Sequence, residues 1–316
     1  MCKNLVEKGN LLSPLIIFNR TEKRATDLRD SLPADRVVVS ATIDGAISKS
    51  DIVFTCVSDD AAIEEIICSA LRSGHSMEHK MFVDCSTVHP KTTRALAKMV
   101  NEVGAEFVAS PILGVPAMAD AGQLVCVLAG TSSSLERLKP YTMGVMSRMD
   151  IIVSDSDPGM ASLLKIVANT FVLSMVETLA EGHTLAEKSG LGVGNLQKAI
   201  EVIFPGLYMA YSKVLSSGDY YKNDEVLRFL SHFPSRMKLP SEVTNIEFLQ
   251  PLVSIEMARK DTEHALSLAK EYGVEMKAVE VAHRHLKEAQ KHVGMQGDAA
   301  GIYGAVRQES GLRYEN

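Results

Sequence analysis

The chain has 316 residues, 46% hydrophobic and 23% charged, which is the composition of folded protein and length enough for two domains with separate cores. A net charge of -6 and a pI near 5.9 give no support to nucleic acid or an anionic membrane as partner and favour a small molecule. Five single cysteines, Cys2, Cys56, Cys68, Cys85 and Cys126, show neither a disulfide framework nor a zinc spacing, and they fit a reducing compartment, with the cytoplasm expected.

From Leu15 to about Val153, short apolar runs follow one another: LIIF at 15–18, VVV at 37–39, IVFTCV at 52–57, MFVD at 81–84, EFVAS at 106–110 and LVCVLAG at 124–130. Helical patterns such as EKRATDLRDSL, AAIEEIICSALRSG and PKTTRALAKMVNEVG lie between several of them. The alternation predicts a doubly wound parallel α/β sheet with helices on both faces, over residues 1–155. After DSDPG at 155–159 helical periods take over, first from Gly159 to Lys188, then near 194–203, 252–272, 276–292 and 298–308. An all-helical second domain over 156–316 is expected. No apolar run approaches the ~20 residues of a membrane span, and MCKNLVEKG is neither a secretory signal nor an Arg-rich transit peptide.

In open α/β sheets ligands bind at the carboxyl ends of the strands. After LIIF come Asn19, Arg20 and Thr21, where an NAD enzyme commonly carries an acid; a guanidinium and a hydroxyl suit a 2'-phosphate instead, which points to NADP. The plainer alternative is a solvated turn with Thr21 as N-cap. After MFVD, the turn Cys85, Ser86, Thr87, Val88, His89, Pro90 offers two hydroxyls, one for capping from Thr87 or a neighbour and one to spare for a polar ligand; His89 is expected at the surface. The sole lookalike of a glycine fingerprint, GLGVG at 190–194, follows a helix rather than a strand and reads as a turn between helices.

Lys165 stands inside the apolar stretch GMASLLKIVANTFVLSMVETLA, with Asn169 four residues on and therefore on the same helix face. Lys165 either snorkels at a domain edge or is desolvated so that it can exchange a proton during catalysis.

The segments NRT, DCSTVHP, GAEFVASPILGVPAMADAGQL and GMASLLKIVANT, with ARKDTEHALSLAKEYGV and GDAAGIYGAV further on, resemble the 3-hydroxyisobutyrate dehydrogenase branch of the 6-phosphogluconate dehydrogenase superfamily, also called the β-hydroxyacid dehydrogenases. The resemblance spans nearly the whole chain. It implies a Rossmann-like NADP-binding domain, with NAD as the other candidate, and a helical substrate and dimerisation domain. Lys165 matches the lysine that exchanges a proton with the substrate oxygen, and Asn169 the asparagine that helps hold the substrate. Ser86, Thr87 and Gly114 match substrate positions. Asn19, Arg20, Thr21, Val57, Ser58, Thr87 and Lys260 match cofactor contacts, Arg20 as the 2'-phosphate reader.

Two departures stand out. Where the family carries a Ser-Gly-Gly turn for the substrate carboxylate, this chain has Leu113, Gly114 and Val115, which removes a hydroxyl and crowds a backbone N–H. The substrate is then expected to be bulkier or less acidic, or not a hydroxy acid. The PILGVPAM stretch also resembles imine reductases, although those usually carry another residue at the position of Lys165. The second departure is the start: the family's first strand and Gly-rich turn have no counterpart, as in an N-terminally truncated polypeptide, which leaves a mitochondrial address open. Without that loop, a non-catalytic relic or an oligomeric interaction protein is the alternative to an NADP-dependent oxidoreductase. The apolar face of the 159–188 helix favours a homodimer.

Overall fold

Six apolar runs become strands where the sequence places them. The computed structural model describes residues 1–217 and 253–316, and the chain divides into two units, Met1–Lys165 and Ile166–Asn316.

In the first unit the elements run α1 (Cys2–Lys8), β1 (Leu15–Ile17), α2 (Glu22–Asp30), β2 (Val37–Val39), α3 (Ile43–Ser48), β3 (Ile52–Thr55), α4 (Asp60–Arg72), β4 (Met81–Asp84), α5 (Pro90–Glu102) and β5 (Glu106–Ala109). There follow β6 (Ile112–Leu113), α6 (Pro116–Ala121), β7 (Leu124–Ala129), α7 (Ser132–Thr142), β8 (Ser147–Ser154) and the start of α8 (Gly159–Lys188). Every residue of β4 and β7 is buried. The sheet face meets α4 and α5 in a core that includes Ile63, Ile67, Phe82, Leu96, Phe107 and Ala161.

The sheet is mixed rather than wholly parallel. β3–β4, β4–β5 and β7–β8 pair parallel, but β5–β7 and β6–β7 pair antiparallel. The link from β6 to β7 holds little more than the six-residue α6, which is short for a parallel crossover of roughly a dozen residues, so the chain reverses. β1 and β2 form a separate two-stranded parallel sheet. Among the described residues no strand joins this pair to the larger sheet. Instead Leu5 of α1 packs with Met1, Leu15 of β1 and Phe54 of β3 in one cluster.

The second unit holds the rest of α8, then α9 (Val193–Ile203), α10 (Leu207–Ser216), α11 (Ile255–Tyr272), α12 (Lys277–Val293), a 3-10 turn (Ala299–Gly301) and α13 (Ile302–Glu309). The predicted start of α11 at 252 lies outside the described residues. In α12 the buried Val279, Ala282, Leu286 and Ala289 recur at helical spacing, which lays one stripe on the core.

By length and composition α8 could cross a membrane, with a mean hydropathy of 1.6 over its most apolar window, although no run of the sequence was expected to approach that. Half of that window is buried, and the helix carries Glu177 and His183 at 3% and 0% exposure, bonded to His285 and Ser212. Polar side chains paired inside the protein mark it as a core helix.

Candidate functional site

β3 and β4 end side by side, in register from Ile52 and Met81 to Thr55 and Asp84, so the loops that follow emerge together. A buried polar ladder ties these loops. Thr55 Oγ1 donates to Asp84 Oδ1 at 2.9 Å, Ser86 N donates to the same oxygen at 3.2 Å, and Ser86 Oγ accepts from Val57 N at 2.9 Å. Burial drives the Asp84 carboxyl above its ordinary range, against the hydrogen bonds from Ser86 and Thr55, and the nearby Asp60 adds to the rise. Ser86, 2% exposed, therefore holds Val57 in place instead of presenting a spare hydroxyl outward. Thr87 beside it is half-buried.

The cap of α5 is neither Thr87 nor Ser86 but His89, whose Nδ1 accepts from Lys91 N at 3.2 Å ahead of Pro90 at the first helical position. His89 is half-buried rather than at the surface, because its backbone N–H also donates to Asp60 Oδ1 at 2.9 Å and draws the turn against α4. On the β3 side Val57 is half-buried, and the exposed Ser58 donates to Asp59, which caps α4 by accepting from Ala62 N at 2.9 Å.

Lys165 lies in the second turn of α8 and is 9% exposed. Its positive charge reaches Cys56, the first residue past β3. The crowding of protein pushes the Cys56 thiol up to about 11, Asp84 adds to this, and the amino terminus and Lys165 pull it back, although the residue keeps contact with solvent. A buried cation thus stands near the carboxyl end of a parallel strand, where such sheets bind ligands.

At the end of β1, Asn19 Oδ1 accepts from Thr21 N at 2.9 Å and closes a tight turn, with Thr21 at the N-cap position of α2 but forming no side-chain cap bond. Arg20 is exposed in this turn. Gly114 has φ +139°, and a Cβ there would stand 2.8 Å from Leu124 Cδ2, so its backbone is needed for the approach of β6 to β7. Leu113 and Val115 flank it, both half-buried.

In the second unit, Asn169 Nδ2 donates to Asp261 Oδ2 at 2.6 Å, and Lys260 Nζ lies 3.4 Å from Asp261 Oδ1. The two residues assigned by resemblance share the carboxylate of Asp261, which lies in the ARKDTEHALSLAKEYGV segment but was given no site role of its own. Of GLGVG, residues 190–192 lie in the turn between α8 and α9, while Val193 and Gly194 open α9.

Residues 1–153 match the family model described as the NAD binding domain of 6-phosphogluconate dehydrogenase. The NADH-dependent oxidoreductase ucdB of Aspergillus ustus is 32% identical over 315 residues, covering 99% of this chain and 97% of that protein. A 3-hydroxyisobutyrate dehydrogenase of Mycobacterium tuberculosis, solved with L-serine, superposes with a TM-score of 0.72 at 19% identity, over 97% of this chain and 94% of the other. An imine reductase of Myxococcus stipitatus in complex with NADP+ gives 0.56 at 17%, over 95% and 93%. At these identities the two structures speak for the fold.

Proposed function

This chain belongs to the β-hydroxyacid dehydrogenase family of NAD(P)-dependent oxidoreductases, and from that premise we propose that it moves a hydride between NADP and a small carbonyl or alcohol, with Lys165 as general acid and base. One observation carries the reading: Lys165, 9% exposed, with its charge felt at the end of β3. When a carbonyl is reduced the ammonium gives its proton to the oxygen that becomes the alcohol, and in the reverse direction the amine takes it back. Asn169, with Asp261 fixing its carboxamide, holds the substrate, and Gly114 is assigned to the substrate end by its match to the family.

The cofactor supplies the hydride. The residues fit its two ends: Arg20, exposed with Asn19 and Thr21 in the turn after β1, suits the 2'-phosphate, while Val57, Ser58 and Thr87 line the loops after β3 and β4. Lys260 is assigned as a further cofactor-side cation. NADP is favoured over NAD because Asn19, Arg20 and Thr21, rather than an acid, form the turn after β1, although a relative's name specifies NADH. Exposed Val167 and Phe171 on α8, at 40% and 73%, support a homodimer.

A second reading, that this chain is a non-catalytic relic, is favoured by the split between β1–β2 and β3. Titration with NADPH, followed by nicotinamide fluorescence, separates the two: micromolar binding supports the enzyme, and no binding up to millimolar supports the relic. Comparing aldehyde or ketone reduction with imine reduction then tests the reaction class, which Leu113 leaves open to an imine.

A further inference from the structure

α5 begins at the turn after β4 and touches α8 just before Lys165. Thr93, one turn into α5 and 1% exposed, has its Oγ1 at 2.7 Å from Ser162 Oγ, itself 2% exposed. The same Thr93 hydroxyl lies 3.4 Å from the His89 carbonyl, the cap residue of α5, and so joins that turn to α8 directly. Next to it, Arg94 grips the Asp157 carboxylate through Nε and Nη2 at 2.9 Å each, and Asp157 Oδ1 accepts from Gly159 N, the first residue of α8, at 2.9 Å. A Cβ at Gly159 would stand 2.7 Å from Arg94 Nε, so the guanidinium lies against the helix start. Ala161, 0% exposed, packs with Leu96 and Ala97 in the same contact.

Two buried hydroxyls facing each other in an apolar contact are an expensive way to join helices, because each must be desolvated and aliphatic side chains of similar size would pack there. What the pair adds is a contact of fixed length and direction. Ser162 is three residues before Lys165, one helical turn, so whatever fixes Ser162 fixes the lysine's height along the strand ends.

We propose that Thr93 and Ser162 are positioning residues that set the Lys165 ammonium against the loops following β3 and β4. The proposal rests on the role given to Lys165 above. The Arg94–Asp157 fork holds the helix start, and the hydroxyl pair sets its register; loss of either hydroxyl therefore displaces the lysine while α8 stays docked.

The test compares Thr93→Val, which removes the hydroxyl at nearly constant volume, with Thr93→Ser, which keeps it. The first readout is reductive methylation of Lys165 in the full chain, measured by peptide mass relative to Lys91 and Lys98 of α5. Thr93→Val should label Lys165 several-fold faster than the wild type, with Lys91 and Lys98 unchanged, and Thr93→Ser should return to the wild-type ratio. The second readout is turnover: Thr93→Val should lower kcat by about ten-fold, the scale of a sub-ångström misplacement, while KM for NADPH stays the same. If Thr93→Val does not fold, Ser162→Ala removes the same contact from the other side and is read identically. A variant that melts earlier but keeps the wild-type Lys165 labelling ratio and kcat would overturn the proposal, leaving the pair as plain packing. Lys165→Met run alongside separates the two claims: if it turns over normally the acid–base role fails, and the labelling ratio still decides the positioning.

Discussion

The Asn169 carboxamide donates to the Asp261 carboxylate at 2.6 Å, and Lys260 approaches the other oxygen of that carboxylate at 3.4 Å. One acid, 7% exposed, thus orients an amide on α8 and offsets a cation on its own helix. Removing it takes this carboxylate away from both the amide and the ammonium. Asp261→Ala should cost about 1–3 kcal/mol by urea denaturation, and Asp261→Ala with Asn169→Ala should cost less than the two single losses added together. Strict additivity would mean that the contact carries no coupling energy.

Two buried histidines make stability depend on pH in opposite directions. His183, 0% exposed with Nε2 at 2.8 Å from Ser212, is held by burial at about 4, below its ordinary 6.5. A lowered histidine contributes stability that is complete above the unfolded value and is lost as pH falls toward the folded one, roughly 3 kcal/mol in all. Replacing His183 with Gln should therefore flatten the acid limb of the urea midpoint between about pH 6.5 and about pH 4.

His285 behaves the other way. Its Nδ1 meets Glu177 at 2.7 Å and its Nε2 meets Glu309 at 2.8 Å, and the hydrogen bond to Glu177, with Glu309 assisting, raises its pKa against the opposing effect of burial. A raised histidine stabilises fully below the unfolded value, and that contribution is lost as pH climbs through the folded one. His285→Gln should lose stability most below about pH 6.5 and differ least from the wild type in alkali. A difference that grew with pH would contradict the assignment.

Gly114→Ala should destabilise by about 1–3 kcal/mol, since its φ of +139° is closed to alanine and the new Cβ would press on Leu124, itself 0% exposed. An unchanged melting temperature would show that β6 can shift away.

Arg20→Ala should weaken NADPH binding about ten-fold and leave NADH binding nearly unchanged, as the loss of one charge-assisted contact to a 2'-phosphate. Equal losses for both cofactors would place Arg20 away from the phosphate.

Much of this architecture can be read from residue order alone. MFVD and LVCVLA announce themselves because strands covered on both faces are apolar throughout. β8 does not: its burial is irregular, Met149 and Ile152 are exposed, and Arg148 and Asp150 interrupt it. α7 carries three serines at its start and Pro140 inside, which mask its helical period. β6 is two residues long, below what a pattern can show. For the site, Lys165 was visible as a charge in an apolar run. Asp84 passed as the polar end of a strand, Thr93 and Ser162 as ordinary helix residues, and the Asn169–Asp261 contact spans 92 positions that no local period connects.

The central claim is tested most directly by Lys165→Met, assayed for hydride transfer and for NADPH binding in the same preparation. The account predicts that turnover with an aldehyde or ketone is lost while the NADPH dissociation constant stays within about two-fold, because the lysine moves a proton and does not hold the cofactor. Turnover at the wild-type rate would contradict it.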